Sequence, residues 1–214
     1  MTTPDLVLYH APGACSQVSR CALEQAELPY RLELVNFASA ESKAELARVS
    51  PLAKVPTLLI DGEVLTENAA IQVYIAALRP DAGLFPMSSD PRFGAEVQSG
   101  LSFCGGTLHP IVRGLFNPAR LTTGEIDGVR ERARELAEKS FGYAEARLAE
   151  RGWWLGTWSI LDVYLNWTVQ IATWGGFDFA KMPQLASLQE RQMERPSFAR
   201  MMQGEKEARS ALGQ

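Results

Sequence analysis

The sequence predicts an α/β domain of element order β-α-β-α-β-β-α followed by an all-helical domain. Short apolar runs of strand character occur only between Leu6 and Leu65. Asp61-Gly62 separates two of them, a strong two-residue hairpin signal. Beyond a stretch with two prolines and two serines over 84–91, only helical spacing remains. Such a change of pattern marks a domain boundary. The expected division is a first domain over 1–83, a linker over 84–91 and a helical domain over 92–214.

Taken in order, Leu6 to Tyr9 has strand length. A helix over Cys15–Glu27 places Val18, Ala22 and Gln25 or Ala26 on one face. Leu28-Pro29 closes it, because the residue before proline is driven out of the helical region. Tyr30–Val35 alternates as a second strand. Ser39–Val49 is helical in composition, with Ser39 as N-cap. Lys54–Ile60 and Glu63–Leu65 form the hairpin around Asp61-Gly62. Thr66-Glu67-Asn68 opens a third helix with Ile71, Tyr74, Ile75 and Leu78 at helical spacing. Further helices are expected over Arg92–Leu115, Ile126–Arg151, Ser159–Trp174, Met182–Glu194 and Ser197–Ala208. Ser159 and Asp162 have the spacing of a capping box. Gly105-Gly106 in mid-helix disfavours the helix by roughly 1 kcal/mol each and implies a bend or a close approach.

Composition narrows the function. The chain has 214 residues, 46% hydrophobic and 21% charged, enough for a sizeable core. A net charge of −4 without a basic block argues against nucleic acid. Three cysteines, with no CxxC pair, do not make a disulfide framework and fit a reducing compartment. Two histidines without a Cys/His cluster give no metal site. Met1–Asp5 lacks the features of a signal peptide, and no apolar stretch reaches ~18 residues. The expectation is a cytoplasmic protein with no membrane partner.

The stretch richest in chemistry is Tyr9-His10-Ala11-Pro12-Gly13-Ala14-Cys15-Ser16. Pro12-Gly13 breaks the chain between strand and helix and sets Cys15 and Ser16 at the helix start, where free N–H groups and the positive end of the helix dipole meet. A thiol there ionises more easily, and the thiolate is the reactive form. The residue types alone leave two readings open, a thiol-chemistry site or a small residue at a helix start. Cys21 is expected to pack on the sheet, and Cys104 to be buried. Trp167 and Trp174 lie seven apart on one helix face, a stripe that fits core packing.

The order of these elements resembles that of a glutathione transferase, and Pro12-Gly13-Ala14-Cys15-Ser16 resembles the catalytic loop of the bacterial beta class. The resemblance covers the whole chain and implies a thioredoxin-like first domain. Val55-Pro56 is similar to the family's Val-Pro, which implies a cis proline. A cis proline exposes the backbone of Val55 to an extended peptide, and glutathione is one. Glu67-Asn68 resembles the family's Glu-Ser pair, which implies that Glu67 meets the γ-glutamyl ammonium and Asn68 the γ-glutamyl carboxylate.

In the helical domain, Thr107-Leu108-His109 with Leu115-Phe116-Asn117-Pro118 is similar to the beta-class Glu-Leu-His and Leu-Phe-Arg-Pro. By that likeness His109 lies near the glutathione sulfur, Gly106 belongs to the glutathione site, and Ser102 takes the place of a cross-subunit contact. Pro110 stands where the family often has Lys, and Asn36–Ser39 holds no counterpart of another family Lys.

The resemblance implies catalysis by Cys15, His109 and Ser16. Glutathione is then held by Cys15, Val55, Pro56, Glu67, Asn68, Ser102, Gly106 and His109, with glutathione as co-substrate and no metal. Tyr9, Val112, Arg113 and Phe116 are the expected walls of an acceptor pocket for a small electrophile, in a homodimer. Cys15 has two possible tasks. It orients the glutathione sulfur for conjugation, or it forms a mixed disulfide as a thiol transferase or reductase. A binding module without catalysis is the third alternative.

Overall fold

Two central strands explain why the first part of the chain holds together. In the computed structural model, which describes residues 3–213, β1 (Leu6–His10) pairs in parallel with β2 (Arg31–Leu34) and antiparallel with β3 (Thr57–Ile60), and β3 pairs with β4 (Glu63–Thr66). The order is β2-β1-β3-β4. Leu6, Val7, Leu8 and Leu58 on the inner strands are buried, while the edge strands keep exposed positions. Leu8 sits opposite both Leu32 and Leu58, which fixes the register by burial. Asp61 and Gly62 have φ of +50° and +86°, both positive as a tight hairpin of this hand requires.

Helix α1 (Ser16–Gln25) crosses from β1 to β2, and α2 (Ala40–Val49) buries only Leu46. Ser39 caps α2 by accepting from the Ser42 N–H at 3.2 Å. Helix α3 (Asn68–Leu78) packs against α1. The thioredoxin-like arrangement of the first domain is thus formed by these seven elements.

The last helix changes the expected division. The chain forms two compact units, one of 1–84 with 193–214, the other of 85–192. Helix α10 (Pro196–Ala211), assigned above to the helical domain, packs along α1. For that reason α1 is buried without interruption from Ser16 to Leu23 and has no solvent face. Cys21 accordingly meets Ser197 of α10 rather than only the sheet, and burial pushes its thiol up to about 12.

The second unit contains α4 (Pro91–Ser102), a π-helical stretch (Phe103–Leu108), α5 (His109–Phe116), α6 (Asp127–Arg151), α7 (Ile160–Trp174), α8 (Pro183–Ala186) and most of α9 (Leu188–Met193). The helix expected over Arg92–Leu115 is therefore widened where Gly105 and Gly106 lower helix propensity. The helix expected over Met182–Glu194 breaks at Ser187 into α8 and α9. Helix α7 is buried from Ile160 to Val169 and forms the centre of the unit. Its capping box is formed: Asp162 accepts from Ser159 N at 2.8 Å and from Ser159 Oγ at 3.1 Å, and its other oxygen accepts from Trp154 N at 2.8 Å. Among the described residues no helix is long and apolar enough to cross a membrane.

Candidate functional site

Cys15 is the N-cap residue of α1, but its side chain does not cap. The chain reaches it through a turn in which Ala14 N donates to Ala11 O at 3.0 Å and Gly13 takes φ of +77°, a conformation that glycine adopts without penalty. The thiol turns toward β3 instead and donates to Val55 O at 3.3 Å. Val55–Pro56 is a cis peptide bond, as the family resemblance implied. Cys15 and Val55 keep 8% and 9% of their surface exposed, so thiol and peptide edge form one partly covered spot.

A third element closes on the same place. Asn68, the first residue of α3, donates through Nδ2 to Cys15 O at 3.0 Å. Its Oδ1 accepts from Ser19 Oγ at 2.8 Å and from Gln72 Nε2 at 3.3 Å. The Asn68 side chain is thus engaged inside the protein and ties the α3 start to the catalytic-loop candidate. What α3 offers a ligand here is its N-terminal backbone and dipole. Glu67, exposed beside it, has φ of +71° and ψ of 124°, outside the usual regions for a residue with a Cβ, and its carboxylate caps nothing. Strained backbone of this kind clusters at functional sites.

Ser16 lies elsewhere than the resemblance implied. It is fully buried, and its hydroxyl lies 2.8 Å from His10 Nδ1 and 3.3 Å from Ala11 N. It has no surface to offer a ligand and instead holds the loop. His10 continues inward: its Nε2 is 2.7 Å from Glu205 Oε1, while Glu205 Oε2 accepts from Gly13 N at 2.7 Å. Arg20 Nη1 approaches Glu205 Oε1 at 3.8 Å. Gly204 leaves room for that guanidinium, since a methyl there would overlap it. Burial pulls the Glu205 carboxyl up, but the His10 and Gly13 hydrogen bonds and the Arg20 charge outweigh it and hold the group below the ordinary carboxylate value.

His10, Arg20 and Glu205 were not singled out from the sequence. His10 sits three residues before Gly13 in a legible motif, but Glu205 lies on helix α10 and nothing in its neighbourhood marks it.

In the helical unit, His109 is the first residue of α5, directly after the π-helical stretch, and is half-buried. Its Nδ1 lies 3.4 Å from Tyr164 OH, and its ring meets Trp167 edge-on at 4.5 Å. Ser102 is exposed at the end of α4, and Gly106 is exposed in the π-helical stretch with open space where a Cβ would stand. Cys104 is fully buried, and burial pushes its thiol far up, away from reactivity at neutral pH.

The acceptor-wall residues fare unequally. Tyr9 packs with Ala14 against Ala11, Val35, Leu46 and Val55. Burial, then the Glu33 and Glu45 charges, raise its phenol above the ordinary value. Val112 is fully buried in the helical unit and presents no wall, because α5 turns it toward the core. Phe116 is 45% exposed and faces Trp174 at 6.0 Å; Arg113 is half-buried on the same helix. Among the described residues no group of three or more His, Cys, Asp or Glu is placed to hold a metal ion.

Residues 4–77 match the family model described as glutathione S-transferase, N-terminal domain. The chain is 31% identical over 201 residues to glutathione S-transferase GST-4.5 of Xanthomonas campestris, covering 92% of this chain and 98% of the relative. It superposes with a TM-score of 0.82 on the structure of a sphingomonad glutathione S-transferase complexed with glutathione, at 31% identity, covering 94% of this chain and 98% of that one. A bacterial beta-class glutathione S-transferase of Sphingomonas chungbukensis gives a TM-score of 0.81 at 30% identity, covering 93% and 98%.

Proposed function

The chain belongs to the glutathione S-transferase family, and on that premise we propose that it acts as a beta-class-like glutathione transferase, joining the glutathione sulfur to a small electrophile. The observation that carries this reading is the convergence of three segments on Cys15. Its thiol donates to Val55 O beside the cis bond, and its carbonyl accepts from Asn68 at the α3 start.

Glutathione is an extended peptide, so its cysteinyl unit would add to the backbone of Val55 as a short strand. That directs its thiol toward Cys15. The γ-glutamyl carboxylate falls to the α3 N-terminus, and the ammonium to the exposed Glu67. Cys15 and the positive end of the α1 dipole then favour the glutathione thiolate, and the enzyme's remaining task is to position the electrophile. Ser16 acts as a positioning residue in this reading. For the helical unit the assignment follows the family motif: His109 as a polar group acting in catalysis, Gly106 as part of the glutathione site, and Ser102 as a cross-subunit contact in a homodimer.

Cys15 separates conjugation from redox chemistry. With glutathione disulfide, an attacking Cys15 thiolate would form a mixed disulfide and release one glutathione thiolate. The expected result is that Cys15→Ser keeps much of the conjugating activity toward an activated aryl halide. Intact mass shows the glutathione adduct on the wild-type chain only if Cys15 is a redox nucleophile. Passage of the wild-type protein through immobilised glutathione without retention overturns both enzyme readings. A monomeric mass in solution removes the Ser102 role.

A further inference from the structure

Three buried polar side chains join α1 to α3 next to Cys15. Ser19 and Gln72 are fully buried, and Asn68 is 4% exposed. Ser19 Oγ donates to Asn68 Oδ1 at 2.8 Å. Gln72 Nε2 donates to the same oxygen at 3.3 Å and to Ser19 Oγ at 3.3 Å. Asn68 Nδ2 donates to Cys15 O at 3.0 Å. The hydrogen bonds of this set thus run one way, from Gln72 through Ser19 and Asn68 to Cys15.

That direction is imposed from the Gln72 end. The carboxamide of Asn68 has two unlike ends, and only the N–H end can serve Cys15 O. Turned over, it would set oxygen against oxygen. Ser19 and Gln72 both donate to Oδ1, so both oppose the turned-over form. Gln72 also acts on Ser19 itself. A serine inside a helix can donate back to the carbonyl four residues earlier, which for Ser19 is Cys15 O. Here Ser19 Oγ accepts from Gln72 and its single proton goes to Asn68. The side-chain bond to Cys15 O therefore comes from Asn68.

The other end of Gln72 shows that this arrangement is not packing alone. Its Oε1 is buried with no hydrogen-bond partner among the described residues. A buried oxygen left unpaired disfavours the fold. An apolar side chain of the same length would avoid that loss, and Ser19 and Asn68 would still be bonded to each other. The orphaned oxygen has a physical account if the N–H end of the same amide is needed where it is.

In the proposed reaction glutathione is held at Cys15 by its sulfur and at the α3 start by its γ-glutamyl carboxylate. The peptide spans the two points, so their relative placement decides whether both ends seat together. We propose that Ser19 and Gln72 are positioning residues for glutathione: they hold the Asn68 amide in one sense and so fix Cys15 against the α3 N-terminus. This assignment rests on the glutathione reading.

The test compares Gln72→Met, Ser19→Ala and the double variant with the wild type, each as the whole protein. Met matches Gln in length and orphans no group, so Gln72→Met should keep or raise the thermal midpoint. It is expected to raise KM for glutathione about threefold, the effect of one weak hydrogen bond, and the double variant to raise it about tenfold or more. KM for the electrophile should stay at the wild-type value in all three. A role in packing alone gives the reverse, a midpoint that falls while KM for glutathione does not change. An unchanged KM for glutathione in Gln72→Met, an equal rise in KM for the electrophile, or a lowered midpoint in Gln72→Met each overturns the proposal.

A second measurement does not depend on glutathione. Cys21 and Cys104 are fully buried, so alkylation by iodoacetamide reports Cys15. Released from its fixed place against Val55 O, the Cys15 thiol should react about threefold faster or more in the double variant. An unchanged rate overturns the lock whether or not the protein turns over glutathione. A faster rate in a protein inactive with glutathione upholds the lock and overturns the glutathione reading.

Discussion

Gly13 N donates to Glu205 Oε2 at 2.7 Å, joining the loop before Cys15 to the last helix of the chain across 192 residues. The other oxygen of the same carboxylate meets His10, and His10 meets Ser16. The position of Cys15 therefore depends on a helix that lies far from it in sequence.

Glu205→Ala should lower stability by about 3–5 kcal/mol, because it leaves His10, Arg20 and Gly13 N buried without their shared acceptor. Glu205→Gln keeps the shape and the acceptor for Gly13, and should lower stability by about 1–3 kcal/mol. Urea unfolding midpoints at constant m-value measure both. If the pair only braces the fold, kcat/KM of the folded Gln variant stays at the wild-type value. If it sets the loop, kcat/KM falls.

The same carboxylate predicts a pH dependence. Its folded value lies below the ordinary 4.5. The stability it contributes is thus fully present above that ordinary value and is lost as pH falls through the lower, folded value. The groups facing it are His10, Arg20 and the Gly13 N–H. Thermal midpoints of the wild type should drop more steeply below about pH 4.5 than those of Glu205→Gln. Parallel curves would count against the network as drawn.

Asp162 should show the opposite slope. Burial raises it to about 6 against the pull of the Trp154 and Ser159 hydrogen bonds. A raised folded value means a stabilising contribution that is present below the ordinary value and is lost as pH rises through about 6. Relative to Asp162→Asn, the wild type should gain stability as pH falls from about 6 toward 4. Asp162→Ala should lower stability at neutral pH by about 2–4 kcal/mol, the sum of a lost cap and an orphaned Trp154 N–H. Guanidinium unfolding measures it; a change below 1 kcal/mol, within the range of an ordinary surface substitution, speaks against the capping box as a main anchor of α7.

These residues also show what the sequence made legible. The hairpin at Asp61-Gly62, the capping box at Ser159 and the loop at Pro12-Gly13 are local patterns, and local chemistry suffices to read them. The widening at Gly105-Gly106 was legible as a bend, since glycine is a poor helix former. The burial of both sides of α1 was not, because Pro196–Ala211 reads as one more amphipathic helix and its partner is set by tertiary packing. The buried partner of Ser16 was not legible for the same reason. A serine at a helix start suits a ligand and a buried histidine equally well, and only the placement of His10 beside Glu205 decides between them.

Gly105 and Gly106 allow a last separation of structure from function. A Cβ on Gly106 meets nothing within 4 Å, whereas one on Gly105 would stand 3.2 Å from Tyr164 OH. Alanine is favoured over glycine in a helix by roughly 1 kcal/mol. Gly106→Ala should therefore raise stability by about 0.5–1 kcal/mol. Gly105→Ala should gain little or nothing, because Tyr164 must shift, and with it the group 3.4 Å from His109 Nδ1. If Gly106 belongs to the glutathione site, its alanine variant gains stability and yet shows a higher KM for glutathione, since the added methyl occupies space the ligand needs. A thermal midpoint that rises with KM unchanged would remove Gly106 from the site and leave the π-helical stretch as a feature of packing alone. If Tyr164 orients His109, Gly105→Ala changes the pH profile of kcat while the midpoint stays near the wild-type value. An unchanged profile would separate Tyr164 from the reaction.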